Sequence, residues 1–135
     1  ICVHRNMLNQ IDPSDASMMA SLRFAAEHLQ VQNIIVLGHS DCNAVAKLKD
    51  LAGLPAEISA WLGGCGARYR GDSYADAVKN NVLDQLARLS GLEFIARAMR
   101  ENGLNLEGMY FHIDTGRLER YHSGQGRWEF IQTEE

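Results

Sequence analysis

The sequence has few cysteines, no long apolar run and no excess of positive charge. Its three cysteines, Cys2, Cys42 and Cys65, cannot all pair within one chain, and their spacing does not match a secreted disulfide framework. No apolar run approaches the roughly 20 residues needed to cross a bilayer, and the first residues lack a signal-peptide pattern. A net charge of -4 offers no basic surface for nucleic acid. These absences predict a cytoplasmic protein that binds neither membranes nor nucleic acid.

Internal repeats, low-complexity tracts and a compositionally distinct second region are also absent. The 135 residues are 46% hydrophobic and 22% charged, which is ordinary for one globular domain with a sizeable core. A nucleotide-binding α/β module would need a Gly-rich phosphate loop after its first strand, and Gly38 alone does not supply one. We therefore predict a single domain over residues 1–135.

The first part of the chain predicts strand, helix and strand in that order. Ile1–His4 has the pattern of a short strand in which Cys2 packs, and a helix capped by Ser14 or Ser17 follows. Asn33–Leu37 is continuous and β-branched, as expected for a strand covered on both faces. Two strands joined by a helix in this way predict a right-handed crossover in a parallel sheet.

The remainder predicts a long interrupted helix and a hairpin. The helix begins near Tyr74, is interrupted at Ser90-Gly91 and ends at Gly103. Glu107–Ile113 and Arg117–Tyr121 alternate in polarity around a short turn, which is typical of paired strands. The predicted fold class is α/β, with helices flanking a mostly parallel central sheet.

A short polar run follows the buried strand through Gly38: His39-Ser40-Asp41-Cys42. Open α/β sheets bind ligands at the carboxyl edge of their parallel strands. His-x-x-Cys at that edge can direct an imidazole nitrogen and a thiolate to one tetrahedral zinc, although two ligands make only half a zinc site. Asp41 is predicted to lie at the N-terminus of the next helix, where the helix dipole favours a carboxylate.

Three motifs occur in the order and spacing of one enzyme family. They are Arg5-Asn6-Met7-Leu8-Asn9, the turn Gly38-His39-Ser40-Asp41-Cys42, and the late strand Tyr110-Phe111-His112-Ile113-Asp114-Thr115-Gly116. With these motifs, the chain resembles a β-class carbonic anhydrase over nearly its whole length.

The resemblance implies zinc-dependent, reversible hydration of carbon dioxide to bicarbonate. It assigns His39 and Cys42 as zinc ligands and makes Arg5, Asn6 and Gly38 possible supports of the site. Asn6 and Asn9 are expected to brace the loop near the metal through hydrogen bonds to backbone. Because family active sites form at subunit boundaries, we expect a homodimer or higher homo-oligomer in which Trp128 and Phe130 lose exposure.

The chain departs from the family pattern at three places. Family members carry an earlier strand with Cys-x-Asp-x-Arg, which supplies a further zinc thiolate and an Asp-Arg dyad, and no residues of this sequence match it. Asn43 stands where the family usually has Gly, and Phe111 stands where some members have the Tyr of an inhibitory bicarbonate site. We therefore expect an N-terminally incomplete domain, impaired when alone and without bicarbonate regulation. The alternative is a non-catalytic relative used for assembly or small-molecule binding.

Overall fold

A computed structural model describes residues 1–132, so the last three residues of the predicted domain lie outside the described part. Its sheet has four strands in the order β1 (Asn33–His39), β2 (Asn105–Phe111), β3 (Leu118–His122) and β4 (Arg127–Phe130). β1 and β2 are parallel, and the other two pairs are antiparallel. The α/β class is confirmed, but the sheet is mixed where the sequence predicts a mostly parallel one. Short turns join β2, β3 and β4, and such turns connect only antiparallel neighbours.

The helices are α1 (Ala16–Arg23), α2 (Asn43–Lys47), α3 (Ala56–Gly64), α4 (Tyr74–Ser90) and α5 (Glu93–Asn102), with a 3-10 turn at Met7–Asn9 and a π-helical turn at Phe24–His28. α4 and α5 confirm the predicted interrupted helix, and Gly103 ends α5 in the left-handed region at φ 68°. None of these helices has both the length and the apolar character of a membrane span within residues 1–132.

The first helix is capped by a residue other than those predicted. The side chain of Asp15 accepts hydrogen bonds from the backbone N–H groups of Ser17 and Met18. Ser14 instead donates its hydroxyl to Asp12 Oδ1 at 2.7 Å. Ser14 thus belongs to the preceding turn, and the cap prediction is wrong because the cap is Asp15. Serine and aspartate both favour turns and helix N-caps, so the sequence does not separate the two residues.

Helix α4 packs directly on β1 and β2 because glycines in both strands leave room for it. A Cβ at Gly38 would lie 2.6 Å from Val78 Cγ1 and 2.9 Å from Val82 Cγ2. A Cβ at Gly108 would lie 3.0 Å from Val82 Cγ1. Gly38 therefore allows α4 to hold the end of β1, immediately before His39.

Replacing Gly38 with alanine is expected to lower the free energy of unfolding by about 1–3 kcal/mol, the usual cost of forcing an extra methyl into a packed core. The added methyl would overlap both valines of α4. Gly124→Ala is the matched control, since no atom lies within 4 Å of the Cβ position there. Urea unfolding followed by circular dichroism measures both variants, and equal stability would contradict so close an approach of α4.

Strand β1 is covered on one face only. The clusters of buried apolar side chains draw on Ile34 and Val36, which point to the same side as Gly38. On the other side Ile35 and Leu37 are each 50% exposed. The predicted burial on both faces is therefore wrong as far as residues 1–132 show, and β1 forms an edge of the described sheet because it pairs only with β2.

The N-terminal residues form no strand. Ile1, Val3 and Cys2 are exposed, and residues 1–6 belong to no helix or strand. The predictions of a strand at Ile1–His4 and of a packed Cys2 are wrong, and the predicted crossover is absent from residues 1–132. A strand needs a hydrogen-bonded neighbour to be stable, and no strand in the described part pairs with this segment.

Candidate metal centre and its supports

The turn after β1 presents His39 and Cys42 and is fastened to the end of β2. His39 is the exposed last residue of β1, and half-buried Cys42 is the N-cap residue of α2. The backbone N–H of Ser40 donates to the carbonyl of Phe111 at 2.8 Å. In return, the N–H of Ile113 donates to Ser40 Oγ at 2.9 Å. Ser40 thereby fixes the turn between the two candidate ligands.

The hydrogen bonding of His39 leaves one ring nitrogen available for a metal. Its Nδ1 lies 2.7 Å from the carbonyl oxygen of Ser40. Because a carbonyl oxygen can only accept, this contact assigns the proton to Nδ1 and leaves the lone pair on Nε2. Histidine ligands are held in this way when the second nitrogen donates to backbone. Cys42 has a free thiol and packs against the core cluster that contains Val45 and Tyr110.

The described residues fit two of the three protein positions of a catalytic zinc site. Imidazole and thiolate are zinc ligands, and such sites use three protein ligands with one position open. Within residues 1–132, no three His, Cys, Asp or Glu side chains come together to hold a metal. Cys2 lies in the exposed N-terminal coil, and Cys65 follows the end of α3. The donor types match zinc, but residues 1–132 do not complete the set.

Asp41 and Tyr110 lie around the turn with different roles. Asp41 precedes the cap of α2 and adopts the left-handed region at φ 54°, so its backbone makes the turn. Burial raises the pKa of Tyr110, and the negative charges of Glu119, Asp41 and other neighbours raise it further. Tyr110 is 2% exposed. Its hydroxyl therefore stays neutral. The sequence motif alone did not predict that Tyr110 lies beside the turn.

A buried network of amide side chains supports the strand end before His39. Gln10, Asn81 and Gln85 are all less than a tenth exposed. Gln10 Nε2 donates to Asn81 Oδ1 at 2.8 Å, and Asn81 Nδ2 donates to Asn9 Oδ1 at 2.8 Å. Asn9 Nδ2 then donates to the carbonyl of Leu37 at 2.9 Å. A continuous path of hydrogen bonds thus joins the core to the residue two places before His39.

The same network holds a strained turn. Leu8 and Asn9 have positive φ angles of 65° and 43°, which cost side-chain-bearing residues on the order of 1–3 kcal/mol each. The carbonyl of Leu8 accepts from Gln10 Nε2 at 2.9 Å and from Asn81 Nδ2 at 3.0 Å. These two bonds fix the turn that aims Asn9 at β1.

Among the predicted supports, Asn6 and Asn9 make the expected hydrogen bonds to backbone. Asn6 Nδ2 donates to the carbonyl of Gln10 at 2.8 Å, and Asn6 Oδ1 accepts from the N–H of Gln10 at 2.7 Å. Arg5 lies exposed in the N-terminal coil. It stays a prediction that a metal site is supported by Arg5, Asn6 and Gly38. Metal ligation by His39 and Cys42 also stays a prediction.

Replacing Asn81 with alanine is expected to destabilise the protein by about 1–3 kcal/mol, because the buried amides of Gln10 and Gln85 lose their common partner. Asn80→Ala is the neighbouring control, since Asn80 makes one exposed hydrogen bond to the carbonyl of Arg70. Urea unfolding compares the variants. A loss for Asn81→Ala no larger than for Asn80→Ala would show that the network contributes little.

Comparison with known proteins gives one consistent result. A sequence model of the carbonic anhydrase family matches residues 1–118. A carbonic anhydrase of Pseudomonas aeruginosa is 32% identical over 127 residues, covering 84% of this chain and 57% of that protein. One from Candida albicans is 26% identical, covering 96% of this chain and 50% of that protein. The chain thus spans about half the length of these curated relatives.

Solved structures agree on the class. The β-carbonic anhydrase CcaA has a TM-score of 0.83 at 27% identity, covering 96% of this chain and 71% of that one. A structure of tetrameric β-carbonic anhydrases from Sordaria macrospora has a TM-score of 0.78 at 26% identity, covering 93% and 68%. Because the family model matches most of the sequence and these folds coincide, the chain belongs to the β-class carbonic anhydrase family.

Proposed function

We propose that the protein hydrates carbon dioxide reversibly to bicarbonate and that zinc is its metal. The observation that carries this proposal is the turn after β1. There His39 keeps Nε2 free by bonding Nδ1 to Ser40, and Cys42 offers a free thiol three residues later. Membership of the carbonic anhydrase family supports the reaction, and the donor types support the metal.

In this proposal His39 and Cys42 hold the metal, and the surrounding residues hold them in place. When bound, zinc supplies Lewis acidity that brings the pKa of water to about 7, as is known of carbonic anhydrases in general. Ser40 fixes the turn to β2, and Asn9 fixes the strand end through Leu37. Tyr110 stays neutral beside the turn and adds no negative charge to it.

We propose that further polypeptide supplies the third ligand and the Asp-Arg dyad. Only two candidate ligands come from the turn, and no group of three forms within residues 1–132. The open edge of β1 is consistent with an added strand there, and the half-exposed Ile35 and Leu37 leave one face of β1 free for further packing. Cytoplasmic location stays a prediction from composition.

A stopped-flow assay of carbon dioxide hydration tests this function. The protein assayed is this chain extended before Ile1 by a strand carrying Cys-x-Asp-x-Arg and loaded with one zinc per chain. We expect hydration that a chelator abolishes, with a pH dependence that reports deprotonation of water near neutrality. A zinc-loaded protein no faster than free zinc in buffer would contradict the proposal.

A non-catalytic role in assembly or small-molecule binding is the second candidate. The incomplete ligand set within the described residues favours it. Zinc analysis separates the two functions, because a scaffold that has lost its metal takes up no stoichiometric zinc even when the Cys-x-Asp-x-Arg strand is present.

We also propose a homodimer or higher homo-oligomer. The relatives from Sordaria macrospora are described as tetrameric, and Phe130 at the end of β4 is 42% exposed here. Sedimentation at micromolar concentration is expected to show at least a dimer, and the exposure of half-buried Trp128 and of Phe130 is expected to fall on association. Detection of monomers alone would contradict this expectation.

A further inference from the structure

A cleft of about 440 Å³ opens where the segment after the 3-10 turn meets the end of α3 and the junction of α4 and α5. Its volume lies within the range of sites for small organic ligands. Neither His39 nor Cys42 lines this cleft. Any ligand bound there would be distinct from one at the candidate metal centre.

Arg88 provides a fixed positive group in the cleft. Its Nη1 donates to Gln10 Oε1 at 3.2 Å, and within residues 1–132 no carboxylate oxygen pairs with it as a salt bridge. Gln10 is itself completely buried and held by Asn81 and Gln85. The guanidinium is therefore anchored to the buried Gln10 by one hydrogen bond, most of its donors are unused, and its planar fork matches a carboxylate.

Asp12 provides a negative group on the wall of the same cleft. Hydrogen bonds from the hydroxyl and the backbone N–H of Ser14 lower the pKa of Asp12, and the charge of Arg88 lowers it slightly further. Both bonds from Ser14 go to Oδ1, so Oδ2 remains an acceptor without a hydrogen-bond partner in the described chain. Ile11, Pro13 and Leu92 add apolar wall.

We propose that this cleft binds a zwitterion of the α-amino-acid class with an apolar side chain. The carboxylate would pair with Arg88, the ammonium with Asp12 Oδ2, and the side chain would lie against Ile11, Pro13 and Leu92. The negative charge of Asp12 would repel a simple anion, and the positive charge of Arg88 would repel a simple cation. Only a ligand with both charges satisfies both groups without repulsion.

Calorimetric titration of the 135-residue chain tests the proposal with three matched probes. L-leucine carries both charges, 4-methylpentanoate lacks the ammonium, and 3-methylbutylamine lacks the carboxylate. We expect L-leucine to bind at least about tenfold more tightly than either, since each charge-assisted hydrogen bond contributes that much. No saturable binding of L-leucine, or equal binding of L-leucine and 4-methylpentanoate, would overturn the proposal.

Two variants assign the charges. Asp12→Asn keeps an acceptor for Ser14 but removes the charge, so L-leucine and 4-methylpentanoate should then bind equally. Arg88→Gln should bind L-leucine and 3-methylbutylamine with equal affinity. Glu101→Gln, the same charge change on an exposed residue of α5 outside the cleft, should leave the preference intact. If Arg88→Gln disturbs the amide network, Asp12→Asn still tests the proposal. An unchanged preference of Asp12→Asn for L-leucine over 4-methylpentanoate would overturn the assignment of the ammonium to Asp12.

Discussion

Changing Cys42 to serine in the zinc-loaded, extended chain is expected to lower kcat/KM for carbon dioxide hydration by at least ~10³-fold, since loss of residues that only orient zinc ligands already costs 10–100-fold. A serine hydroxyl does not replace a thiolate as a zinc ligand at neutral pH. The fold should persist, because Cys42 is only half-buried and makes no hydrogen bond through its thiol within the described residues.

Cys65→Ser is the matched control for this result. Cys65 is also half-buried and also a free thiol, but it follows α3 and its thiol donates to the carbonyl of Leu62 at 3.5 Å. Its loss should leave zinc content and hydration rate unchanged. Full zinc occupancy and an unchanged rate in Cys42→Ser would remove Cys42 from the ligand set. The 135-residue chain without the added strand is expected to be no faster than free zinc.

The parts of the fold that local pattern specifies could be predicted from the sequence. The long helix is one, because Val78, Val82 and Leu89 recur on one face and all three are buried. The hairpin of β2 and β3 is another, since its turn is only a few residues long. The strand that begins at Asn33 is a third, although it continues two residues past the predicted end at Leu37, through Gly38 to His39.

What the sequence could not specify is the set of neighbours that each strand has. Ile1–His4 has the composition of a strand but lies in coil, because strand formation depends on pairing. Likewise, Ile35 and Leu37 suggest burial on both faces, yet only the face with Ile34 and Val36 is covered. Apolar residues indicate which surfaces need another element packed against them, and residues 1–132 do not supply every such element.

The amide network shows a different limit. Asn81 and Gln85 fall on the buried face of α4, between Val78 and Leu89, and this spacing is a signal that their amides are enclosed. Their partner Gln10 lies more than 70 residues away in the chain. Sequence periodicity can therefore indicate that a polar residue is buried, but it does not identify the group that satisfies it.

A second buried network joins α4 to the hairpin of β2 and β3 through Glu119. One carboxylate oxygen of Glu119 accepts from Lys79 Nζ at 2.7 Å, and the other lies 2.6 Å from His112 Nε2. The side chain of Glu119 is 9% exposed and that of Lys79 is 19% exposed. Lys79 also lies over the rings of Tyr110 and Trp128. Both charges therefore have their partners inside the fold.

The pKa of Glu119 makes this network sensitive to acid. Burial by itself raises the pKa, but the hydrogen bonds and charges of Lys79 and His112 outweigh it, so the pKa is lowered from 4.5. The unfolded carboxyl binds a proton more readily than the folded one. The stabilisation from Glu119 is therefore complete above pH 4.5 and is lost as the pH falls through the lower folded value.

Replacing Glu119 with alanine is accordingly expected to lower the free energy of unfolding at pH 7 by about 3 kcal/mol, because Lys79 would remain mostly buried without a counter-charge. Glu129→Ala is the control, since its pairs with Arg127 and His122 are exposed and should contribute less than about 1 kcal/mol. Urea unfolding at pH 7 measures both losses. Repeating it below pH 4.5 should narrow the gap between wild type and Glu119→Ala. A loss as small as that of Glu129→Ala, or a gap independent of pH, would show that the Lys79–Glu119 pair does not stabilise the hairpin against α4.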